Sequence, residues 1–109
     1  MRALVCETLG PVNSHRVQEI PDPVPGKRQV AVRVHACGVN FADTLIVQGK
    51  YQERPELPFV PGSEVAGEVI ALGDGVKGIS LGQRVMALTS VGGFAEIALA
   101  SADTLIPLP

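Results

Sequence analysis

Two short runs carry the polar residues best placed to do chemistry. In Ala36-Cys37-Gly38-Val39-Asn40-Phe41-Ala42-Asp43, an amide and a carboxylate lie three residues apart. In Val60-Pro61-Gly62-Ser63-Glu64, a hydroxyl and a carboxylate follow a Pro-Gly bend where a strand begins. Asparagine offers both a donor and an acceptor, serine a rotatable hydroxyl, and the carboxylates accept hydrogen bonds. The same residues have a purely local reading: Asn40 caps a helix, Asp43 bonds back to the cap, and Ser63 stabilises a turn. Tyr51 is the only tyrosine. It sits in the polar, proline-containing loop from Lys50 to Pro58, where the local reading is a surface or partial-core residue.

Metal chemistry is weakly supplied. His35 and Cys37 share one face of a strand, with Cys6 and His15 as further candidates. A catalytic zinc needs three protein ligands and an open position; a surface His and a buried Cys fit this pattern better. Gly73-Asp74-Gly75-Val76-Lys77-Gly78 has the spacing of a dinucleotide fingerprint, and Glu96 lies near the downstream acidic position. A working fingerprint must open a helix whose N-terminus meets the pyrophosphate. Ile79-Ser80-Leu81-Gly82 follows instead, so the stretch is expected to be a turn between strands.

The elements that must position these residues are mostly strands. Ala3 to Glu7 and His15 to Ile20 read as the first two, and the Pro21–Gly26 stretch as an extended linker. Gln29 to Cys37 alternates regularly, with Val30, Val32, Val34 and Ala36 on the apolar face. Asn40 to Gln48 is the best helix, with Phe41, Leu45 and Ile46 inward and Gly49 ending it. From Glu64 to Leu72 a second long strand places Val65, Gly67, Val69 and Ala71 on one face. Gly67 marks a bend or a close backbone approach. Gln83–Leu88 and Phe94–Ala100 read as strands, the latter with Phe94, Ile97 and Leu99 apolar, and Ser101–Asp103 as a short turn. Such a succession of short strands suggests a closed or partly closed barrel.

The chain has 109 residues, 46% of them hydrophobic, with twelve glycines and nine prolines. One domain of this size buries roughly 60–70% of its unfolded surface. Net charge is −2 with no basic stripe, which argues against nucleic acid as a partner. No stretch approaches the ~20 apolar residues of a membrane span, and the N-terminal apolar run is too short for a signal peptide. Two cysteines are too few for a disulfide framework, so a cytoplasmic setting is expected.

Read together, the two polar runs resemble the medium-chain dehydrogenase/reductase superfamily over nearly the whole chain. The zinc alcohol dehydrogenases carry Gly-His-Glu with a Gly three residues after the Glu, and a Cys with an Asp three residues later. Here Ser63 stands at the His and Asn40 at the Cys, while Glu64, Gly67 and Asp43 remain. That combination resembles the zinc-free quinone oxidoreductase branch. Gly82-Gln83-Arg84-Val85 stands where the superfamily has Gly-Asp-Arg-Val, and no cysteine-rich lobe follows it.

The resemblance implies a mainly β, GroES-like, partly open barrel with one or two short helices, occupying residues 1–109. It implies NADPH-dependent, zinc-independent reduction of a quinone or conjugated enone in the intact enzyme, which could be a homodimer. Asn40, Asp43 and Tyr51 would then act in catalysis, and Asn40, Ser63 and Glu64 would contact the cofactor. Leu45 stands where close relatives often carry a further aromatic. A Rossmann domain would follow the barrel; none is present in these 109 residues, so the chain alone is expected to be inactive and to bind NADPH poorly. The competing reading is a non-catalytic GroES-like binding or assembly module.

Overall fold

The computed structural model describes all 109 residues. Seven strands, one short helix and two 3₁₀ turns follow one another in the chain. The strands are β1 (Arg2–Val5), β2 (Arg16–Glu19), β3 (Gln29–Cys37), β4 (Glu64–Leu72), β5 (Arg84–Leu88), β6 (Ile97–Ser101) and β7 (Ile106–Pro107), and helix α1 spans Phe41–Ile46. β1 and β2 form a two-stranded sheet, and the other five run in the order β6-β3-β4-β5-β7. Every pairing is antiparallel. The mainly β, partly open GroES-like barrel is therefore the observed architecture.

Valines at alternate positions build the core. Val30 and Val32 of β3 meet Val65 and Val69 of β4, Val85 of β5, and the small Ala98 and Ala100 of β6. β-Branched side chains suit this pleated, buried surface, and burying each valine contributes about 1.5–3 kcal/mol. A second cluster under α1 joins Cys6, Ile46, Val47 and Phe59. Cys6 and Phe59 exchange main-chain hydrogen bonds at 2.8 and 3.1 Å, which ties β1 to the loop before β4.

At Gly67 the β4 backbone passes close against β3. A side chain there would overlap the Arg33 carbonyl, so the close approach expected of a glycine inside a strand is what the structure contains.

Several boundaries differ from the sequence reading. β1 ends at Val5, because Cys6 turns to pair with Phe59. The segment Phe94–Glu96 lies outside β6: Leu4 N–H donates to Phe94 O at 2.9 Å and Glu96 N–H to Arg2 O at 3.1 Å. Val34 N–H donates to Glu96 O at 2.9 Å, so this segment bridges the two sheets. In β6 the buried face carries Ala98 and Ala100, leaving Ile97 and Leu99 half-buried, because small residues fit against the valine core.

At the far end of β3 the apolar alternation fades: Ala36 is exposed, and Cys37, expected to be buried, is exposed too. The pairing with β4 slips between Val34 and Ala36, which changes how the strand end is covered. Gly73–Gly78 forms turns and opens no helix. The Gly73 N–H donates to Gln29 O at 2.8 Å and the Asp74 carbonyl accepts from Arg28 N–H at 2.7 Å, so this stretch closes one end of the barrel.

Candidate active site

The β3–β4 pairing brings the two polar runs side by side. Cys37 faces Val65 in register, and Gly38 N–H donates to Glu64 O at 3.3 Å. The Glu64 carboxylate lies over Gly38, where a Cβ would collide with it. From Gly38 the chain turns into α1. Asp43 and Pro61 then line one crevice of about 310 Å³, which Leu4, His15 and Phe94 also border.

Asn40 is the N-cap residue of α1, in extended backbone geometry. Its main-chain N–H donates to Asp43 Oδ2 at 2.8 Å, and its carbonyl accepts from Asp43 N–H at 3.0 Å. The pair stands in the capping-box arrangement, yet the Asn40 side chain makes no cap hydrogen bond. The Asp43 half of the box closes at 2.8 Å, the Asn40 side-chain oxygen faces the Asp43 N–H in the other half without a full hydrogen bond, and the exposed Asn40 NH2 group has no hydrogen-bond partner. Asp43 is the one buried charged residue, 4% exposed. Ile46 and Val47 are buried beneath the helix and Leu45 is half-buried. Phe41, expected to turn inward, is 78% exposed, because it occupies the helix's first turn on the side away from that cluster.

Ser63 and Glu64 are both half-buried. Their bend is held by a distant loop: Gly92 N–H donates to Val60 O at 2.6 Å, Phe94 N–H to Pro61 O at 2.9 Å, and Thr89 N–H to Ser63 O at 2.7 Å. The Thr89 hydroxyl adds a bond to Gly62 O at 3.0 Å. Thr89 is not among the residues that sequence pattern singles out. Its partners are main-chain carbonyls 26 and 27 positions earlier, and no local motif announces such a contact. Tyr51 lies in the loop after α1, 38% exposed, and its hydroxyl makes no hydrogen bond. The fold thus brings the Asn40–Asp43 and Ser63–Glu64 segments together through the Gly38–Glu64 bond, while Asn40, Ser63, Glu64 and Tyr51 lie outside the crevice that Asp43 and Pro61 line.

No three His, Cys, Asp or Glu side chains converge anywhere in the molecule. His35 and Cys37 are exposed, Cys6 is buried, and burial pushes the Cys6 thiol pKa up. Glu96 is engaged locally: its carboxylate accepts from Arg2 N–H at 2.6 Å, which lowers its pKa. The oxygen and amide groups of Asn40 and Ser63 are poor zinc ligands beside the Cys and His they replace. For a nicotinamide the fit is better, since such a group needs hydrogen-bond donors and acceptors at a polar edge. The phosphates of a dinucleotide find no helix N-terminus in the Gly73–Gly78 turns. No helix is long and apolar enough to cross a membrane.

This barrel, with its two facing polar segments, is a GroES-like domain of the medium-chain dehydrogenase/reductase superfamily. Residues 26–109 match the alcohol dehydrogenase GroES-like domain family, and the chain belongs to it. Its sequence is 46% identical to the quinone oxidoreductase of Mus musculus and 43% identical to that of Homo sapiens. Each match covers 100% of this chain and 34% of the relative. Among solved structures, the human synaptic vesicle membrane protein VAT-1 homolog-like protein superposes with a TM-score of 0.94 at 38% identity, covering 100% of this chain and 35% of that one. Escherichia coli quinone oxidoreductase complexed with NADPH gives 0.92 at 31% identity, covering 100% and 33%. The chain spans about a third of the length of these relatives.

Proposed function

We propose that the chain is the N-terminal catalytic-domain portion of a zinc-independent, NADPH-dependent quinone or enone oxidoreductase. The observation that carries this reading is the β3–β4 junction: Gly38 N–H donates to Glu64 O at 3.3 Å, and the exposed Asn40 follows two residues later with no cap hydrogen bond from its side chain. The whole-chain likeness to quinone oxidoreductases, one of them described with NADPH, supports it.

When bound, NADPH supplies the hydride. A quinone or enone accepting it spreads the new negative charge through conjugation, so neutral hydrogen bonds suffice where a simple ketone gains from a Lewis acid. Asn40 offers an N–H to that charge or to the nicotinamide carboxamide. Ser63 offers a hydroxyl, and the Glu64 carboxylate can accept from an amide N–H. Asp43 acts through Asn40: it holds the cap N–H and thereby the direction in which the amide leaves the helix. In this reading Tyr51, partly exposed in the loop after the helix, offers its ring to a flat substrate. The phosphate end belongs to a Rossmann domain carried elsewhere on the longer protein. A cytoplasmic location belongs to the same reading and accords with two unpaired cysteines.

The test is NADPH oxidation by the longer protein with 1,4-naphthoquinone, followed alongside elemental analysis. Quinone-dependent oxidation without stoichiometric zinc is expected. Zinc retained after dialysis, or no quinone-dependent turnover, would sink the reading.

A further inference from the structure

The Gly62–Ser63 peptide is clamped from outside its own loop. Thr89 N–H donates to Ser63 O at 2.7 Å, extending the β4–β5 ladder one step beyond the Glu64–Leu88 pair. The Thr89 hydroxyl reaches back to Gly62 O at 3.0 Å, and Gly93 N–H reaches the same oxygen at 3.0 Å. Gly62 has φ of 105°, a conformation that side chains rarely adopt. A bend of this kind has several alternative backbone states, and two donors on one carbonyl select among them. Of these contacts, the hydroxyl is the one bond that a side chain supplies. It therefore depends on residue identity, whereas the main-chain bonds do not.

We propose that Thr89 is a positioning residue for the reductase chemistry. Its hydroxyl fixes the Gly62–Ser63 peptide and so sets where the Ser63 hydroxyl and the Glu64 carboxylate meet the nicotinamide. This rests on the function proposed above. Valine at 89 would keep the shape and the strand preference but lose the donor, and serine would keep the donor but lose the methyl.

Thr89→Val and Thr89→Ser separate the two parts. In the 109-residue chain, amide NMR should show the Gly62, Ser63 and Gly93 signals displaced in Thr89→Val. Exchange of the Gly93 N–H should be about tenfold faster, with Thr89→Ser close to the parent. In the longer protein, with NADPH and 1,4-naphthoquinone, Thr89→Val should lower kcat about tenfold through misplaced contacts. Thr89→Ser should restore kcat to within about twofold.

Unmoved signals in Thr89→Val, or a Thr89→Ser form as impaired as Thr89→Val, would overturn the role of the hydroxyl while leaving the proposed function intact. Displaced signals in a protein whose unaltered form shows no quinone-dependent NADPH oxidation would overturn the proposed function, and with it any role of Thr89 beyond a structural clamp.

Discussion

The Asn40 main-chain N–H donates to Asp43 Oδ2 at 2.8 Å, while the Asn40 side chain makes no cap hydrogen bond. The stabilising partner in the box is thus the aspartate. Asp43→Ala should cost about 2 kcal/mol, the range for a hydrogen bond to a charged group in a buried setting. Asp43→Asn should recover part of this through its amide oxygen. Asn40→Ala should cost less than the ~1 kcal/mol of a lost side-chain cap. Urea denaturation of the three variants checks the order, and an Asn40→Ala loss as large as that of Asp43→Ala would contradict it.

Gly67→Ala addresses a close backbone approach between β3 and β4. The added methyl meets the Arg33 carbonyl in the middle of the β3–β4 ladder, where neither strand can move alone. A loss of about 3 kcal/mol is expected, at the upper end for overpacking. A variant as stable as the parent by thermal melting would show that the two strands separate more easily than this packing allows.

Stability should also depend on pH at both ends of the scale. The Met1 ammonium donates to Ile20 O at 2.6 Å and lies 3.0 Å from Asp22 and 3.4 Å from Glu19. The Asp22 contact leads in raising its pKa above 8.0. A raised pKa means that its contribution is complete below pH 8.0 and fades as pH rises through the folded-state value. Glu96 behaves oppositely. Arg2 N–H holds its pKa below 4.5, so its contribution is present above pH 4.5 and fades as pH falls through the lower folded value. Melting temperatures of the 109-residue chain across pH, with and without acetylation of the N-terminal amine, isolate the first effect. The alkaline loss should vanish on acetylation; its persistence would assign that loss to another group.

Much of the fold was legible in local pattern. The valine alternation of β3 and β4 and the glycine between them announced both strands and their close approach, because those features repeat at the period of the pleat. What escaped depends on distant partners. Phe94–Glu96 reads as the start of a strand, but its hydrogen bonds run to Arg2, Leu4 and Val34. Phe41 looks like core by type, yet the cluster beneath α1 is filled by Ile46 and Val47. In the site, the residue types at 40, 43, 63 and 64 were readable. That the Asn40 NH2 group has no partner and that Thr89 clamps the Ser63 bend could come only from the folded chain.

The most direct test of the proposed chemistry is kcat/KM of Asn40→Asp for 1,4-naphthoquinone in the longer protein. Aspartate caps as well as asparagine, and the Asn40 side chain makes no cap hydrogen bond to lose, so the melting temperature should stay close to that of the parent. The substitution removes the amide donor and places a carboxylate where negative charge develops. A fall of about tenfold or more in kcat/KM is the expected result, the scale on which lost transition-state hydrogen bonds are felt. An unchanged kcat/KM would reduce Asn40 to a helix-capping residue and contradict the placement of the active site at this segment.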